Sequence, residues 1–179
     1  MPESMAAFQT PAARVKEDGT FQIADVWPDN YRLSFRLPDG MFVRSARVGS
    51  EEKLGKALDL TNTEGAVAIE VILSTKVGAV DGIVNANDKP AAGATVTLVP
   101  EPATLERAYL LKTVTADQNG RFSFSSVAPG DYRVYAWDDP PRASTRDIEF
   151  ANPYGSQSVK VAVKENTRET AELTPVKEE

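Results

Sequence analysis

The chain has 179 residues, 41% of them hydrophobic, with 20 lysine or arginine residues against 26 aspartate or glutamate and a net charge of -6. No Lys/Arg cluster is available to track a phosphate backbone, so nucleic acid is not an expected partner, and no apolar run approaches the ~20 residues that a membrane span needs. Cysteine and histidine are both absent, which removes disulfides, thiolate nucleophiles, Ser-His machinery and His-ligated zinc. No cofactor and no metal is therefore expected, and the chain reads as non-enzymatic. The opening "MPESMAAFQT" lacks the basic and apolar segments of a signal peptide.

From the N-terminus, "ARVKE", "TFQIADV" and "NYRLSF" read as short strands, "MFVRSARVG" and "KALDL" occupy the following region, and "AVAIEVIL" closes it. From Ala79 the strand pattern is almost continuous. "AVDGIVNA" is an apolar strand ended by the turn "NDKP", and "AGATVTLVP" sets Ala94, Val96 and Leu98 on a core face against Thr95 and Thr97 on a solvent face. "AYLLKTVTA" reads as a third strand running into "DQNG", whose Asn119-Gly120 pair favours a tight hairpin. "RFSFSSV" alternates Phe122 and Phe124 with serines, and "YRVYAW" alternates Tyr132, Val134 and Ala136 against Arg133, Tyr135 and Trp137. A proline-rich loop follows, with a short helical turn expected around 146–151. "SVKVAVKE", with Val159, Val161 and Val163 inward, and "TAELTPV" complete about seven strands, the number and turn spacing of a β-sandwich.

One phrase occurs twice. "DGTFQIADVWPDNYRL", Asp18 to Leu33, returns as "NGRFSFSSVAPGDYRV", Asn119 to Val134. Subtracting 19 from 120 gives an offset of 101, at which Gly19/Gly120, Phe21/Phe122, Val26/Val127, Pro28/Pro129, Tyr31/Tyr132 and Arg32/Arg133 are identical pairs. Six matches in one register indicate an internal repeat. The expectation is an all-β chain of two tandem Greek-key sandwich units, residues 1–76 and 77–179, joined without a breaker-rich linker and therefore stiff. The first unit lacks counterparts of "AVDGIVNA" and "AGATVTLVP". It should be incomplete and present an unpaired edge, to be met by residues 1–10, by a neighbouring domain of the same polypeptide or by another protein chain.

"VDGIVNANDKPAAGATVTLVP" followed by "TADQNGRFSFSSVAPGDYRVYAWDD" closely resembles the carboxypeptidase regulatory-like domain, a seven-stranded transthyretin-like (prealbumin-like) sandwich. The resemblance is carried by Gly82, Pro90, Gly93, Ala94, Val96, Asp117, Gly120, Phe122, Pro129, Gly130, Tyr132 and Val134. A shorter set, Gly19, Phe21, Val26, Pro28 and Tyr31, marks the first copy. The resemblance implies an accessory, non-catalytic module of a large exported bacterial protein, placed outside the cell or in its envelope, here the C-terminal part of that protein. Peptidase activity is not implied, because in the metallocarboxypeptidases that give the family its name the zinc site lies in another domain.

Four residues are candidate ligand or partner contacts. Tyr135 and Trp137 fall at i and i+2 of one strand with Arg133 on the same face, an arrangement suited either to stacking a sugar ring or to packing beneath the proline-rich loop. Trp27 sits at a turn where the second copy has Ala128. Carbohydrate is the alternative partner on this reading. Among the acidic residues Asp81, Asp88, Asp117, Asp138 and Asp139, "DQNG" has the start of a calcium loop but not its spacing, and the hairpin turn accounts for it without an ion.

Overall fold

The computed structural model describes residues 11–138 and 148–176. Five strands precede residue 77: β1 (Asn30–Arg32), β2 (Phe42–Val48), β3 (Glu51–Glu52), β4 (Ala57–Asp59) and β5 (Ile69–Ser74). Eight follow: β6 (Gly78–Ala86), β7 (Lys89–Pro90), β8 (Thr95–Pro100), β9 (Lys112–Thr115), β10 (Arg121–Val127), β11 (Gly130–Trp137), β12 (Val159–Val163) and β13 (Arg168–Leu173).

The later strands form a sandwich. One sheet has the order β10-β6-β13, with β7 paired to β6, and the other has the order β12-β11-β8-β9. All neighbours are antiparallel except β6 and β13, which run parallel with Ala79 opposite Arg168 and Val84 opposite Leu173. The alternation in the sequence fills the space between the sheets: Val80 and Val84, Val96 and Leu98, Phe122 and Phe124, Tyr132, Val134 and Ala136, Val161 and Val163, Ala171 and Leu173 share one core. The two phenylalanines of β10 meet edge to face at 5.8 Å between ring centres.

Three local expectations are corrected. "AYLLKTVTA" supplies a strand only over Lys112–Thr115, because Leu105–Leu110 is a 3-10 helix. Thr97 is buried rather than solvated, and so is Val99, so both faces of β8 are covered. The helical turn expected after the proline-rich loop is longer than the sequence indicates, a 3-10 segment over Ile148–Gln157.

Residues 16–32 share local backbone features with 117–133. Lys16 N–H donates to the Thr20 carbonyl at 2.8 Å as Asp117 N–H does to Arg121 at 2.8 Å, and Gly19 N–H donates to Lys16 as Gly120 N–H does to Asp117. Asp25 and Ser126, again 101 apart, both take positive φ, 55° and 53°. At Ser126 this marks a β-bulge where the β10–β6 register shifts. Tyr31 Oη donates to the Trp27 carbonyl at 2.7 Å, and Tyr132 Oη to the Ala128 carbonyl at 2.8 Å. Tyr31 opposes Leu58 across β1–β4 as Tyr132 opposes Val161 across β11–β12.

The strand expected at "TFQIADV" is not formed: among the described residues no ladder reaches 20–26. "AVAIEVIL" forms a strand only from Ile69, and it pairs with β2. β2 lies between β3 and β5, and Val43, Ala46 and Leu54 make a small core with Leu33, Phe35, Leu37 and Val71 around it. Its corner is closed by Glu52, whose carboxylate accepts from Ser45 Oγ at 2.5 Å, Ala46 N–H at 2.9 Å and Leu54 N–H at 3.0 Å.

The two stretches meet closely. Three residues separate β5 from β6. Gly40 N–H donates to Ser126 Oγ at 2.7 Å, Asn166 N–H to the Val77 carbonyl at 3.1 Å, and Lys76 pairs with Glu165 at 2.9 Å. A side chain at Gly55 would strike the Glu106 carbonyl.

The paired tyrosines give a graded prediction. Tyr132 is buried, and burial pushes its phenol up to about 12. Tyr132→Phe leaves the Ala128 carbonyl without its partner and should cost about 1–3 kcal/mol in denaturant unfolding, whereas the more exposed Tyr31→Phe should cost well under that. Equal costs would contradict the assignment. Glu52 gives a pH prediction. Partial burial raises its carboxyl, but the Ser45 hydroxyl, the Ala46 and Leu54 N–H groups and Arg47 outweigh this and hold it down at about 2 against an ordinary 4.5. A depressed folded-state pKa stabilises above the unfolded value, so this contribution is intact above about pH 4.5 and is lost as pH falls toward 2. Amide exchange over 43–54, measured against pH, should show that loss in the wild type and a flattened profile in Glu52→Gln.

Candidate functional site

Strand alternation puts Arg133, Tyr135 and Trp137 on the outer face of the β12-β11-β8-β9 sheet, away from the main core. The expected open aromatic platform is not found there. Tyr135 and Trp137 are only 2% and 1% exposed, because the 3-10 segment Ile148–Gln157 lies over them. Their rings stack at 5.7 Å with an 18° tilt, and Trp137 also meets Phe150 at 5.5 Å and the edge of Tyr154 at 5.2 Å. Val99, Ile148, Ala151 and Val176 complete this second apolar cluster. The indole N–H donates to Thr97 Oγ1 at 2.8 Å, which explains why a threonine is buried on that face: it satisfies the one polar atom of the tryptophan.

Arg133 clamps the cover in place. Its guanidinium donates to Glu101 Oε1 from Nε at 3.1 Å and Nη2 at 2.9 Å, and from Nη1 to the Gly155 carbonyl at 2.9 Å and Ser158 Oγ at 3.0 Å. Lys160 stands 3.5 Å from the same Glu101 oxygen. Desolvation opposes ionisation of Glu101, but Arg133 and then Lys160 hold its carboxyl below the usual range. Arg133 therefore spends its donors on the fold.

Trp27 is the exception among the four candidates, 74% exposed at its turn. The structure brings Arg133, Tyr135 and Trp137 together but leaves Trp27 apart from them in another stretch of chain.

The acidic residues also have structural partners. Asp117 Oδ1 accepts from the N–H groups of Asn119 and Arg121, shaping the hairpin turn. Asp81 accepts from Ser123 Oγ at 2.6 Å and pairs with Arg168. Asp88 has a positive φ in the β6–β7 turn, Asp138 is exposed, and Asp139 lies outside the described residues. Among the described residues no group of three or more acidic side chains is placed to hold a metal, and none of their helices is long and apolar enough to cross a membrane.

Two facing sheets, a parallel pairing of the first long strand with the last, and a tyrosine locking the turn before β11 define a transthyretin-like β-sandwich module. The family model of the carboxypeptidase regulatory-like domain matches residues 80–174, and the chain belongs to that family. Serine-aspartate repeat-containing protein D of Staphylococcus aureus is 29% identical over 137 residues, 68% of this chain and 10% of the relative. The chain thus spans about a tenth of the length of the curated relatives it matches. Among solved structures, the streptococcal ancillary pilin aligns at 15% identity and a TM-score of 0.39 over 77% of this chain and 45% of its own. The major pilin subunit of Bacillus cereus aligns at 18% identity and 0.34 over 61% and 35%.

The enclosed tryptophan is testable by fluorescence. In Trp27→Phe the remaining indole, Trp137, should emit at short wavelength and resist acrylamide. Thr97→Val, which strands the indole N–H, should cost about 1–3 kcal/mol, and Trp137→Ala about 3–5 kcal/mol. A red-shifted, freely quenched Trp137 would return it to the surface.

Proposed function

We propose that the chain is a non-catalytic structural and interaction module of a cell-surface or secreted bacterial protein. It consists of two transthyretin-like units in tandem, residues 1–76 and 77–179, the first incomplete, and it serves to space or dock neighbouring domains. The observation that carries this reading is the repeated set of hydrogen bonds and positive-φ positions 101 residues apart, in stretches joined by three residues. The bonds of Gly40 to Ser126 and Lys76 to Glu165 support a stiff joint. The polar side chains of the sandwich face also favour a scaffold, since Arg133, Glu101, Thr97 and Asp81 are engaged in holding strands and covers together. Membership in the carboxypeptidase regulatory-like family and similarity to a serine-aspartate repeat protein support the placement outside the cell or in its envelope.

A narrower second reading rests on Trp27. An indole 74% exposed at a turn is a suitable surface for stacking a sugar ring, and glycan-array binding lost in Trp27→Ala is its test.

The chain has no native cysteine, so spin labels can be placed cleanly at Thr61→Cys and Glu172→Cys. The expected distance distribution is a single narrow peak, and a broad one would defeat the spacer reading. Turnover of a peptide or glycoside, abolished by a point substitution, would defeat the non-catalytic one.

A further inference from the structure

The chain enters the later sandwich at β6 and leaves it at β13, and these two strands are hydrogen-bonded neighbours. They run parallel over six facing pairs, from Ala79 opposite Arg168 to Val84 opposite Leu173. At the entry end Ala79 N–H donates to the Thr167 carbonyl at 2.9 Å, and Asn166 N–H to the Val77 carbonyl at 3.1 Å. Because the strands are parallel, the incoming chain meets β6 at one end of the ladder and the outgoing chain leaves β13 at the other. Tension along the polypeptide therefore draws the two strands past each other along their length. In the stretch before residue 75 the geometry is the opposite. β2 and β5 are antiparallel, and Phe42, where the chain enters β2, faces Ser74, where it leaves β5. The same tension there pulls both strands from one end.

The direction of loading decides the resistance. Ladder hydrogen bonds run across the strands, so sliding strains all of them together, whereas opening from one end breaks them in turn. Each bond contributes modestly in water, and strength comes from loading them at once. Packing adds to the hold between β6 and β13. Val80, Val84, Ala171 and Leu173 from these two strands lie in the main core, and a side chain at Gly82 would strike the Ala171 carbonyl. β6 is also fixed on its other edge by β10, where Asp81 accepts from Ser123 Oγ at 2.6 Å. Among the described residues β13 has β6 as its one ladder partner, so that ladder is the one a load on β13 must shear.

We propose that the β6–β13 ladder is a shear clamp, by which the later sandwich bears tension along the polypeptide while the β2–β5 ladder before it yields first. The chain is then a spacer with two mechanical grades, an extensible stretch in series with a locked one. The clamp is built from backbone bonds and packing, so it reforms whenever the strands come back into register. This rests on reading the chain as a spacer and adds that the spacer carries load.

The test is single-molecule force spectroscopy on the full chain, with handles on cysteines placed at exposed positions, since the chain has none of its own. Thr75→Cys with Thr174→Cys loads the β6–β13 ladder in shear, and Thr75→Cys with Lys164→Cys opens the same ladder from one end. At one pulling speed the first pair should need at least about twice the force of the second, and it should release 75–174 in a single step. Pulled through Arg36→Cys and Thr174→Cys, the stretch before residue 75 should open first and at the lower force. Ala79→Pro deletes the bond to Thr167 at the start of a strand, where proline is tolerated, and should lower the shear force, with Trp137 emission confirming that the sandwich remains folded. Three results would overturn the proposal: equal forces in the two directions, an unchanged shear force in folded Ala79→Pro, or a sandwich that opens before 36–74. If Ala79→Pro does not fold, the comparison of directions on the unsubstituted ladder still decides. The spacer reading is judged by label distances without load, so the two fail separately.

Discussion

β6, β8 and β11 are the strands on which the sandwich depends, because each is paired on both edges while its side chains cover the core. β6 lies between β10 and β13, and β8 between β11 and β9. A strand in that position satisfies two rows of backbone donors and acceptors at once and removes apolar surface from water. The parallel pairing of β6 with β13 ties the start of the sandwich to its end. After β13 the chain crosses to the opposite sheet, where Val176 N–H donates to the Ala136 carbonyl at 2.8 Å. The last described residues thereby help to close the second apolar cluster, to which Val176 belongs.

That second cluster explains why the outer face of one sheet is dry. A strand with alternating apolar and polar residues is expected to wet one side. β8 instead buries Thr97 and Val99 beneath the 3-10 segment, and β11 buries Tyr135 and Trp137 there. The threonine is compatible with this only because its hydroxyl meets the indole N–H, which leaves neither polar group unpaired. Arg133 and Glu101 form the rim of the cover, at an exposure where an ion pair contributes less through its charge than through the geometry it fixes.

The main sandwich was legible in the sequence because its signals are local. Alternation placed Phe122, Phe124, Tyr132, Val134 and Ala136 in the core, and the repeat register located the Tyr31 and Tyr132 turns, whose bonds span only four residues. What escaped was set by distant partners. "TFQIADV" has strand alternation, yet a strand exists only where another lies beside it, and the stretch that pairs β10 is β6, far upstream of it in the chain. "AYLLK" is apolar enough for a strand but turns as a 3-10 helix over Leu105–Leu110, where the Arg107 guanidinium bonds the Glu101 carbonyl. The burial of Trp137 was one of two readings open at the sequence level, and only the placement of Phe150 and Tyr154 decides between them.

The same contrast separates the roles of equivalent residues. Arg32 and Arg133 occupy one position in the repeat and make one bond in common, to the carbonyl of a glycine. In the later copy a carboxylate, a hydroxyl and a 3-10 cover converge on the guanidinium, and the face is closed. In the earlier copy the arginine is exposed, Leu33 and Phe35 are half-buried, and Trp27 is exposed. Identical local chemistry thus yields an internal clamp in one place and accessible surface in the other. Among the described residues the difference arises from the strands that flank each copy.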